Sequence, residues 1–314
     1  MELAIVILNW NAVADTVRCI RDISSWKRLQ PPVWVVDNAS TDGSLKVISQ
    51  EFPEVHLIRN STNLGFAGGN NRGILGALSM GDMPILLLSS DIWIDEDNVI
   101  GLLNTLKANE QIGCVGPLLY DAVHRDKLLA AGRKDPALHR RWAIDRLPTG
   151  TSVPIIVECL PGAVVIVREK VFRQVGLLDM DFFYGNSVAD LCLRARQHGF
   201  LSALDIRARA FHELRRRSEF RDTLYTYYLI RNRFLLVRKF HQKWKLPLFG
   251  VWTLFSLTQA MKARLNGQPS KARAIRLGLH DGLRGPFGRQ NKRVLSIVSG
   301  ATGRFDGPVE LSRL

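Results

Sequence analysis

The chain has 314 residues, of which 46% are hydrophobic, and a formal net charge of +14 from 43 basic and 29 acidic residues. This length can bury a large core, and one domain with an appendage is its natural organisation. The sequence has no internal repeat or low-complexity tract, and its four scattered cysteines lack metal-ligand spacing. The cysteine pattern argues against a metal or disulfide framework and predicts buried, reduced thiols in the cytoplasm.

The first predicted element is an apolar run, Leu3–Leu8, which is too short for a helix and rich in β-branched residues. It predicts a buried parallel strand rather than a signal peptide. Apolar residues at helical spacing follow it, and Pro31-Pro32 ends that helix.

The second predicted strand, Val33–Val36, runs directly into Asp37. A carboxylate at this point would lie at the carboxyl end of a central strand, where open α/β sheets bind ligands. Ser40 and Asp42 follow, and their residue types are equally typical of turns and helix caps. For these two residues, a structural role and a ligand-binding role both stay open.

A glycine-rich stretch, residues 63–71, follows the apolar run Val55–Ile58 and leads into another helix-like pattern. Its three glycines would let the backbone approach a ligand closely or adopt positive φ. A turn that opens a helix suits a diphosphate, because free N–H groups and the helix dipole favour negative charge. The alternative is a glycine-rich connection without a ligand.

A further apolar strand, Pro84–Leu88, ends in Ser89-Ser90-Asp91, so an acid again follows a strand. The acids of Asp95-Glu96-Asp97 then open a helix and complement its dipole, which predicts a structural role for them. The repeated order of strand, acid, turn and helix predicts an α/β fold with a Rossmann-like, mostly parallel sheet flanked by helices.

Several motifs, taken together and in order, resemble family 2 glycosyltransferases of the GT-A fold, in the branch of bacterial rhamnosyltransferases. The resemblance spans roughly residues 3 to 290. The matching segments are 6–11, 36–44, 63–70, 113–117, 160–163, 190–196, His212 and 228–233.

This resemblance implies transfer of a sugar from a nucleotide diphosphate to an acceptor hydroxyl, with inversion. Asp37 inherits the hydrogen bond to the nucleobase, and Asn9 and Asn11 would line the base. Asn63 and Gly65 would lie near the nucleoside and the diphosphate.

The resemblance also implies a divalent metal, Mg or Mn, held at the family's Asp-x-Asp motif. That motif falls on Ser89-Ser90-Asp91, so Asp91 inherits the metal and His212 would face the metal and the diphosphate. Ser89 departs from the family pattern, because a hydroxyl can bond a ribose but hard cations prefer carboxylates.

A second departure concerns the general base, for which the family usually has Glu-Asp where this chain has Ser187-Val188. Because valine cannot accept a proton, three explanations stay open. Another carboxylate could serve, with Asp190 favoured over Asp179 and Asp181. Alternatively, transfer proceeds without a protein base, or the chain is a catalytically impaired member that acts as a sugar-nucleotide-binding or scaffold subunit.

The basic residues concentrate towards the C-terminus, where residues 207–293 contain 21 Lys and Arg against 4 Asp and Glu. Leu224–Val237 is aromatic-rich. Leu246–Met261 is apolar and flanked by lysines, but it is short of the roughly 20 residues that span a bilayer. Apolar faces beside cations predict that residues 222–265 lie on an anionic membrane, with Arg215–Arg217 contacting phosphates or lipid. An ordinary helical cap over the core is the alternative.

These observations predict a GT-A domain over residues 1–215 and a basic, amphipathic helical region over residues 216–314. The expected acceptor is lipid-linked or a polysaccharide in cell-envelope glycan synthesis, and the expected location is the cytoplasmic face of the plasma membrane. The apolar neighbours of the basic residues argue against nucleic acid as a partner.

Overall fold

A computed structural model describes residues 2–140, 153–213 and 219–298. The strands are β1 (Ala4–Asn9), β2 (Val33–Asp37), β3 (His56–Arg59), β4 (Ile85–Ser89), β5 (Ile92–Trp93), β6 (Ile112–Asp121), β7 (Leu128–Ala130), β8 (Ile155–Val157), β9 (Val164–Val167) and β10 (Leu201–His212). The helices are α1 (Val13–Ser24), α2 (Ser44–Glu51), α3 (Gly65–Met80), α4 (Glu96–Ala108), α5 (Glu169–Val175), α6 (Ser187–Gln197), α7 (Glu219–Phe240), α8 (Lys245–Leu265), α9 (Pro269–Arg284) and α10 (Asn291–Val298).

All of these strands join one sheet, whose main path has the order β3-β2-β1-β4-β9-β6-β10-β5. The first four strands of that path are parallel, as the repeated strand and helix units predict. Beyond them the sheet is mixed, because β9 runs antiparallel between β4 and β6. The predicted α/β fold with helices around a central sheet is confirmed, and the antiparallel strands are short segments that carry little periodic signal.

The central strands are buried on both faces, which explains their continuous apolar sequences. Alternate residues of β1 point to opposite sides. Val6 belongs to the core under α3, whereas Ile5 and Ile7 belong to the core under α1. An added Cβ on Gly73 would lie 2.5 Å from Cγ1 of Val6, so this glycine allows α3 to pack closely on the sheet.

The C-terminal helices pack on one another and on the sheet domain. Tyr227, Phe234 and Leu236 of α7 are buried, and Phe234 shares a core cluster with Phe182 and Leu191. The expectation that residues 222–240 face lipid was therefore wrong, because their apolar side chains fill the protein core.

Helix α8 differs from α7. One side of it, including Trp252 and Ala260, is buried, while the opposite side exposes large apolar residues such as Leu254. None of the described helices is long and apolar enough to cross a membrane. Arg215–Arg217, and with them the predicted boundary between the two regions, lie outside the described residues.

Candidate active site

Several predicted site residues meet at the carboxyl edge of the parallel strands. The register pairs Asn9 of β1 with Asp37 of β2, and Leu8 with Ser89 of β4. Asp91 follows Ser89 by two residues. The fold therefore places Asn9, Asp37, Ser89 and Asp91 along one edge, where open α/β sheets bind ligands.

Asp37 is held by a hydrogen-bond network with the end of β1. Asn9 Nδ2 donates to Asp37 Oδ1 at 2.9 Å, and the Ser40 amide donates to Asp37 Oδ2 at 3.1 Å. Thr16 Oγ1 donates to Asn9 Oδ1 at 2.7 Å and fixes the orientation of that amide. The carboxylate is 1% exposed, and a carboxylate offers about four acceptor positions, so it keeps capacity for another donor.

Asn11, Ser40 and Asp42 connect the two turns that follow β1 and β2. The Asn11 amide donates to Ser40 Oγ at 3.0 Å, and Asn11 Oδ1 accepts from the Thr41 amide at 2.8 Å. Asp42 accepts from the Ser44 amide at 3.0 Å. The structure thus gives Ser40 and Asp42 turn roles, and Asp42 also accepts from the Val13 amide at the start of α1 at 3.2 Å. The expected side-chain cap on α2 is wrong, because the N-cap of that helix is Gly43.

The glycine-rich turn is organised by Asn38, whose side chain contacts both ends of it. Asn38 Oδ1 accepts from the Leu64 amide at 2.9 Å, and Asn38 Nδ2 donates to Asn63 Oδ1 at 3.0 Å. The Gly65 amide donates to Asn63 Oδ1 at 2.8 Å, and the Phe66 amide to the carbonyl of Phe183 at 2.8 Å.

These bonds occupy three of the amides that a diphosphate cradle in this turn could use. Three consecutive N–H groups, those of residues 64–66, already have protein acceptors. Gly65 has φ 73°, and an added Cβ would lie 2.5 Å from the Phe183 carbonyl oxygen. The glycine is therefore required by the close approach of the Phe183 loop. Nucleotide binding by Asn63 and Gly65 stays a prediction.

Asp91 and His212 lie side by side, although 121 residues separate them. β5 pairs antiparallel with the end of β10, which matches His212 with Ile92. His212 Nε2 is 3.1 Å from Asp91 Oδ2. Burial raises the pKa of Asp91, but the hydrogen bond and the charge of His212 outweigh it and hold this pKa below its ordinary value.

This pair fits a divalent metal of the kind that phosphate-transferring sites use. No cluster of three or more metal-binding side chains occurs in the part of the chain that the structure describes. Mg²⁺, however, is commonly bound through one or two carboxylates, with substrate phosphates and waters completing the shell. Asp91 and His212 supply an oxygen and a nitrogen donor, and imidazole also suits transition metals.

Arg18 adds a cation beside this pair. Its Nη2 donates to the Ser90 carbonyl at 2.9 Å, and its guanidinium stacks on the Trp93 ring at 3.8 Å from the ring centroid. The charge of Arg18 also contributes to the low pKa of Asp91. The site therefore combines a carboxylate, an imidazole and a guanidinium, which together suit a phosphate-bearing ligand.

The position of the expected base contains no proton acceptor. Val188 is buried in the first turn of α6, against Gly162. Asp190 is fully buried, and its Oδ2 accepts from Arg194 Nε at 2.8 Å. Asp190 Oδ1 forms an ion pair with Lys239 of α7, whose Nζ also donates to Asp179 Oδ2 at 2.5 Å. These contacts join α6 to α7, and the catalytic role of Asp190 stays a prediction.

Two adjacent residues of α7 hold the loop that precedes α6. Arg231 donates to the carbonyl oxygens of Gly288 and Asp181, each at 2.6 Å. The Asn232 amide lies 3.0 Å from three carbonyl oxygens, those of Phe182, Tyr184 and Gly185. Since the Phe183 carbonyl in turn accepts from Phe66, α7 positions the loop against the glycine-rich turn.

Sequence reasoning missed three of these contributors. Asn38 lay inside a matched segment without an assigned role, although an amide beside a strand-ending acid is a signal for turn contacts. Asn232 also lay in a matched segment. Arg18 carried no signal, because its position depends on how α1 packs beside the end of β4.

Comparisons with known proteins point to glycosyltransferases. A protein-family model described as glycosyl transferase family 2 matches residues 4–174. The dTDP-rhamnosyl transferase RfbF of Shigella flexneri is 26% identical over 294 residues, which cover 90% of this chain and 96% of RfbF. The N-acetylglucosaminyl-diphospho-decaprenol L-rhamnosyltransferase of Mycobacterium tuberculosis (strain CDC 1551) is 25% identical over 232 residues, covering 67% of this chain and 75% of that protein.

Solved structures are similar in fold at low sequence identity. GalNAc-T7 with UDP, GalNAc and Mn²⁺ has a TM-score of 0.63 at 15% identity. The aligned region covers 78% of this chain and 49% of the GalNAc-T7 chain. The mannosyltransferase PcManGT from Pyrobaculum calidifontis, in complex with GDP-Man and Mn²⁺, has a TM-score of 0.54 at 13% identity. The aligned region covers 90% of this chain and 87% of PcManGT.

Proposed function

This chain belongs to glycosyltransferase family 2 and has the GT-A fold, and from that premise we propose an inverting transfer of a sugar from a nucleotide-diphosphate donor to a lipid-linked or polysaccharide acceptor in cell-envelope glycan synthesis. The observation that carries the proposal is the meeting of Asp37 and the Asp91–His212 pair at one sheet edge. The name of the Mycobacterium tuberculosis relative includes N-acetylglucosaminyl-diphospho-decaprenol, which supports a lipid-linked acceptor.

In the proposed complex, the nucleotide lies across the ends of β1, β2 and β4. Asp37 accepts a hydrogen bond from the nucleobase through the capacity that Asn9 and Ser40 leave unused. The remaining nucleotide contacts are assigned to Asn9, Asn11, Asn63, Gly65 and Ser89.

Asp91 and His212 would hold Mg²⁺ or Mn²⁺ in this proposal. A divalent ion stabilises the negative charge that develops on a leaving nucleoside diphosphate, as a Lewis acid. Arg18, fixed by the Ser90 carbonyl and the Trp93 ring, adds positive charge next to Asp91. Fixed cations of this kind stabilise the departing diphosphate without reorganising during the reaction.

The acceptor hydroxyl must lose a proton on the side opposite the leaving group. Asp190 is the candidate base, and it becomes available only when Lys239 moves away from its Oδ1 atom. Asp179 and Asp181 are the other carboxylate candidates, and transfer without a protein base is the third possibility. A catalytically impaired, sugar-nucleotide-binding or scaffold subunit is the alternative function, favoured by the buried Val188.

Asp37→Ala tests the nucleotide assignment. We expect the affinity for the preferred nucleoside diphosphate to fall by about 10- to 100-fold, because a charge-assisted hydrogen bond to the base is lost. Titration calorimetry of wild type and variant with UDP, GDP and dTDP in MnCl₂ measures this loss.

The matched control is Asp82→Ala, which removes an exposed acid that lies between α3 and β4 and pairs with Arg173. Near-ultraviolet circular dichroism checks that both variants keep the native fold. Unchanged nucleotide affinity in folded Asp37→Ala would remove Asp37 from the site.

We further propose that the C-terminal helices dock the enzyme on the cytoplasmic face of the plasma membrane, through α8 and not α7. Large apolar residues line one side of α8, and Leu246 and Leu265 at its two ends are each 80% exposed. The other members of this surface, the α8 apolar face, are Val251, Leu254, Leu257 and Met261. Contiguous exposed apolar surface of this kind is typical of membrane or protein contacts.

The charges around the α8 apolar face favour an anionic bilayer as its occupant. Lys243 and Lys245 lie at its start, and Lys262 and Arg264 lie at its end. The sequence has no acidic residue between Asp222 and Asp281. Basic groups next to anionic headgroups contribute about 1 kcal/mol each and weaken with salt.

Leu254→Glu tests this docking. We expect its binding to vesicles that contain phosphatidylglycerol to fall by about 10-fold or more, because an apolar side chain leaves the lipid and a negative charge enters. Co-sedimentation at low and high salt measures the change. Leu75→Glu is the control, since Leu75 is an exposed leucine on α3.

Equal vesicle binding by Leu254→Glu and wild type would contradict docking through α8. A wild-type dimer that Leu254→Glu converts to a monomer would identify the α8 apolar face as an interface between two copies instead.

A further inference from the structure

The guanidinium of Arg133 has no hydrogen-bond or ion-pair partner among the described residues. The Nε atom of Arg133 is buried without a hydrogen bond, and no other contact of its guanidinium occurs within the described ranges. Burial lowers the pKa of this guanidinium, and no carboxylate offsets the effect. The residue as a whole keeps partial contact with solvent.

Other arginines in the protein interior, unlike Arg133, use their guanidinium donors in hydrogen bonds. Arg194 donates to Asp190 and to two carbonyl oxygens, and Arg231 donates to carbonyl oxygens at both of its terminal nitrogens. Arg168 likewise donates to the carbonyl oxygens of Ile112 and Leu106. A guanidinium has five N–H donors, and leaving them unused in a desolvated place is unfavourable.

The neighbouring acids are engaged elsewhere. Asp135 pairs with His241 at 2.7 Å, and Glu158 accepts the Asp135 amide. The backbone of this segment is nevertheless fixed, because Arg233 Nε donates to the Pro136 carbonyl at 3.0 Å. The backbone around Arg133 is therefore fixed, while its guanidinium is not neutralised by these acids.

Arg133 lies next to the start of α6, where the expected base is missing. Its backbone forms an antiparallel bridge with Cys159, through bonds of 2.8 and 2.9 Å. The sulfur of Cys159 is 3.8 Å from the Ala189 carbonyl, which adjoins Val188. Tyr225 is close enough to act electrostatically on Arg133, and its ring contacts Tyr184 in the loop before α6.

From this geometry we propose that Arg133 binds a phosphate group of a substrate at the mouth of the active site. The inference rests on the proposed function, in which phosphate has two sources. One is the diphosphate of the nucleotide donor, and the other is the diphosphate of a lipid-linked acceptor. Arginine suits either, because its planar fork of donors matches phosphate oxygens.

Arg133→Met tests the proposal by separating binding from stability. We expect diphosphate binding to fall by about 10- to 100-fold, since charge-assisted hydrogen bonds are lost. We also expect a Tm equal to or above that of wild type, because an unneutralised buried charge is replaced by an apolar side chain of similar length. Arg133→Lys should recover part of the binding.

Arg231→Met is the matched control, because its guanidinium is buried but hydrogen-bonded to protein carbonyls. Its Tm should fall clearly below that of wild type. A lowered Tm for Arg133→Met together with unchanged diphosphate binding would assign Arg133 a structural role and overturn the proposal.

Two sets of probes distinguish the phosphate sources. Titrations with UDP, GDP and dTDP, each against its nucleoside, report the donor site. Farnesyl diphosphate against farnesol reports the acceptor site. Weakened binding of either diphosphate, with its phosphate-free partner unaffected, supports the proposal and names the source.

Undiminished binding of both diphosphate classes overturns the proposal, and so does wild-type protein that binds neither. Wild type that binds farnesyl diphosphate but no nucleoside diphosphate contradicts the proposed donor. In that case the farnesyl diphosphate affinity of Arg133→Met still decides the role of Arg133.

Discussion

Asp91→Asn is expected to lower sugar transfer by about 100- to 1,000-fold, because the carboxylate that would hold the metal beside His212 is lost. The amide keeps the shape of the side chain, so the fold should persist. Release of nucleoside diphosphate from the donor, followed over a range of MnCl₂ concentrations, measures the effect. The variant should also lose the increase in nucleotide affinity that Mn²⁺ gives to wild type.

The control for this experiment is Asp97→Asn, six residues further along the chain. Asp97 is an acid in the first turn of α4 whose side chain is 82% exposed, and it pairs with Arg28 on the surface. Its activity and manganese response should equal those of wild type. If Asp91→Asn retains wild-type turnover with the same manganese dependence, Asp91 does not bind the metal.

Asp190→Asn is expected to lower the free energy of unfolding by about 3 kcal/mol, because Arg194 loses its buried carboxylate partner and Lys239 keeps only Asp179. Urea denaturation measures this loss. Replacing Arg194 by methionine in the same variant removes the charge that has lost its only carboxylate partner, and should restore part of the stability.

Activity at a temperature where Asp190→Asn is folded then decides its catalytic role. A general base contributes about 100- to 10,000-fold in rate, so loss of transfer with intact donor binding would assign the base to Asp190. Turnover that survives in the folded variant would eliminate Asp190 and leave Asp179, Asp181 or base-free transfer. If wild type is inactive and the double variant Ser187→Glu, Val188→Asp gains activity, this would favour a catalytically impaired family member.

The strand-ending acids could be predicted from the sequence because each follows an apolar run of strand length. Asp37 and Asp91 lie at the edge of the sheet that this pattern predicts. The contact of Asp91 with His212 could be expected only from the resemblance. It depends on β5, a strand of two residues that has no periodic signal.

The glycine-rich turn shows a limit of reasoning from sequence patterns. Glycine permits a close approach, but the sequence does not say what approaches. At Gly65 it is the Phe183 loop, and at Gly69 it is Leu8, whose Cδ1 atom would lie 2.3 Å from an added Cβ. Gly65 and Gly69 are therefore required by tertiary packing, although the sequence pattern alone suggests that they approach a ligand.

The two apolar C-terminal helices illustrate a similar limit. Apolar residues on many sides of α7 are consistent with its burial, whereas α8 buries one side and exposes the other. The lack of a partner for Arg133 was not visible in the sequence at all, because it depends on where Asp135 and Glu158 direct their own contacts.

The most direct test of the central claim is to observe the transferred sugar. Purified wild type with MnCl₂ is incubated with a polyprenyl-diphosphate-linked sugar and a panel of dTDP-, UDP- and GDP-sugars, and the lipid product is analysed by mass spectrometry. We expect a mass gain of one sugar residue from one donor, which is absent in Asp91→Asn. Tight nucleotide binding with no mass gain from any donor would contradict it and favour a binding or scaffold subunit.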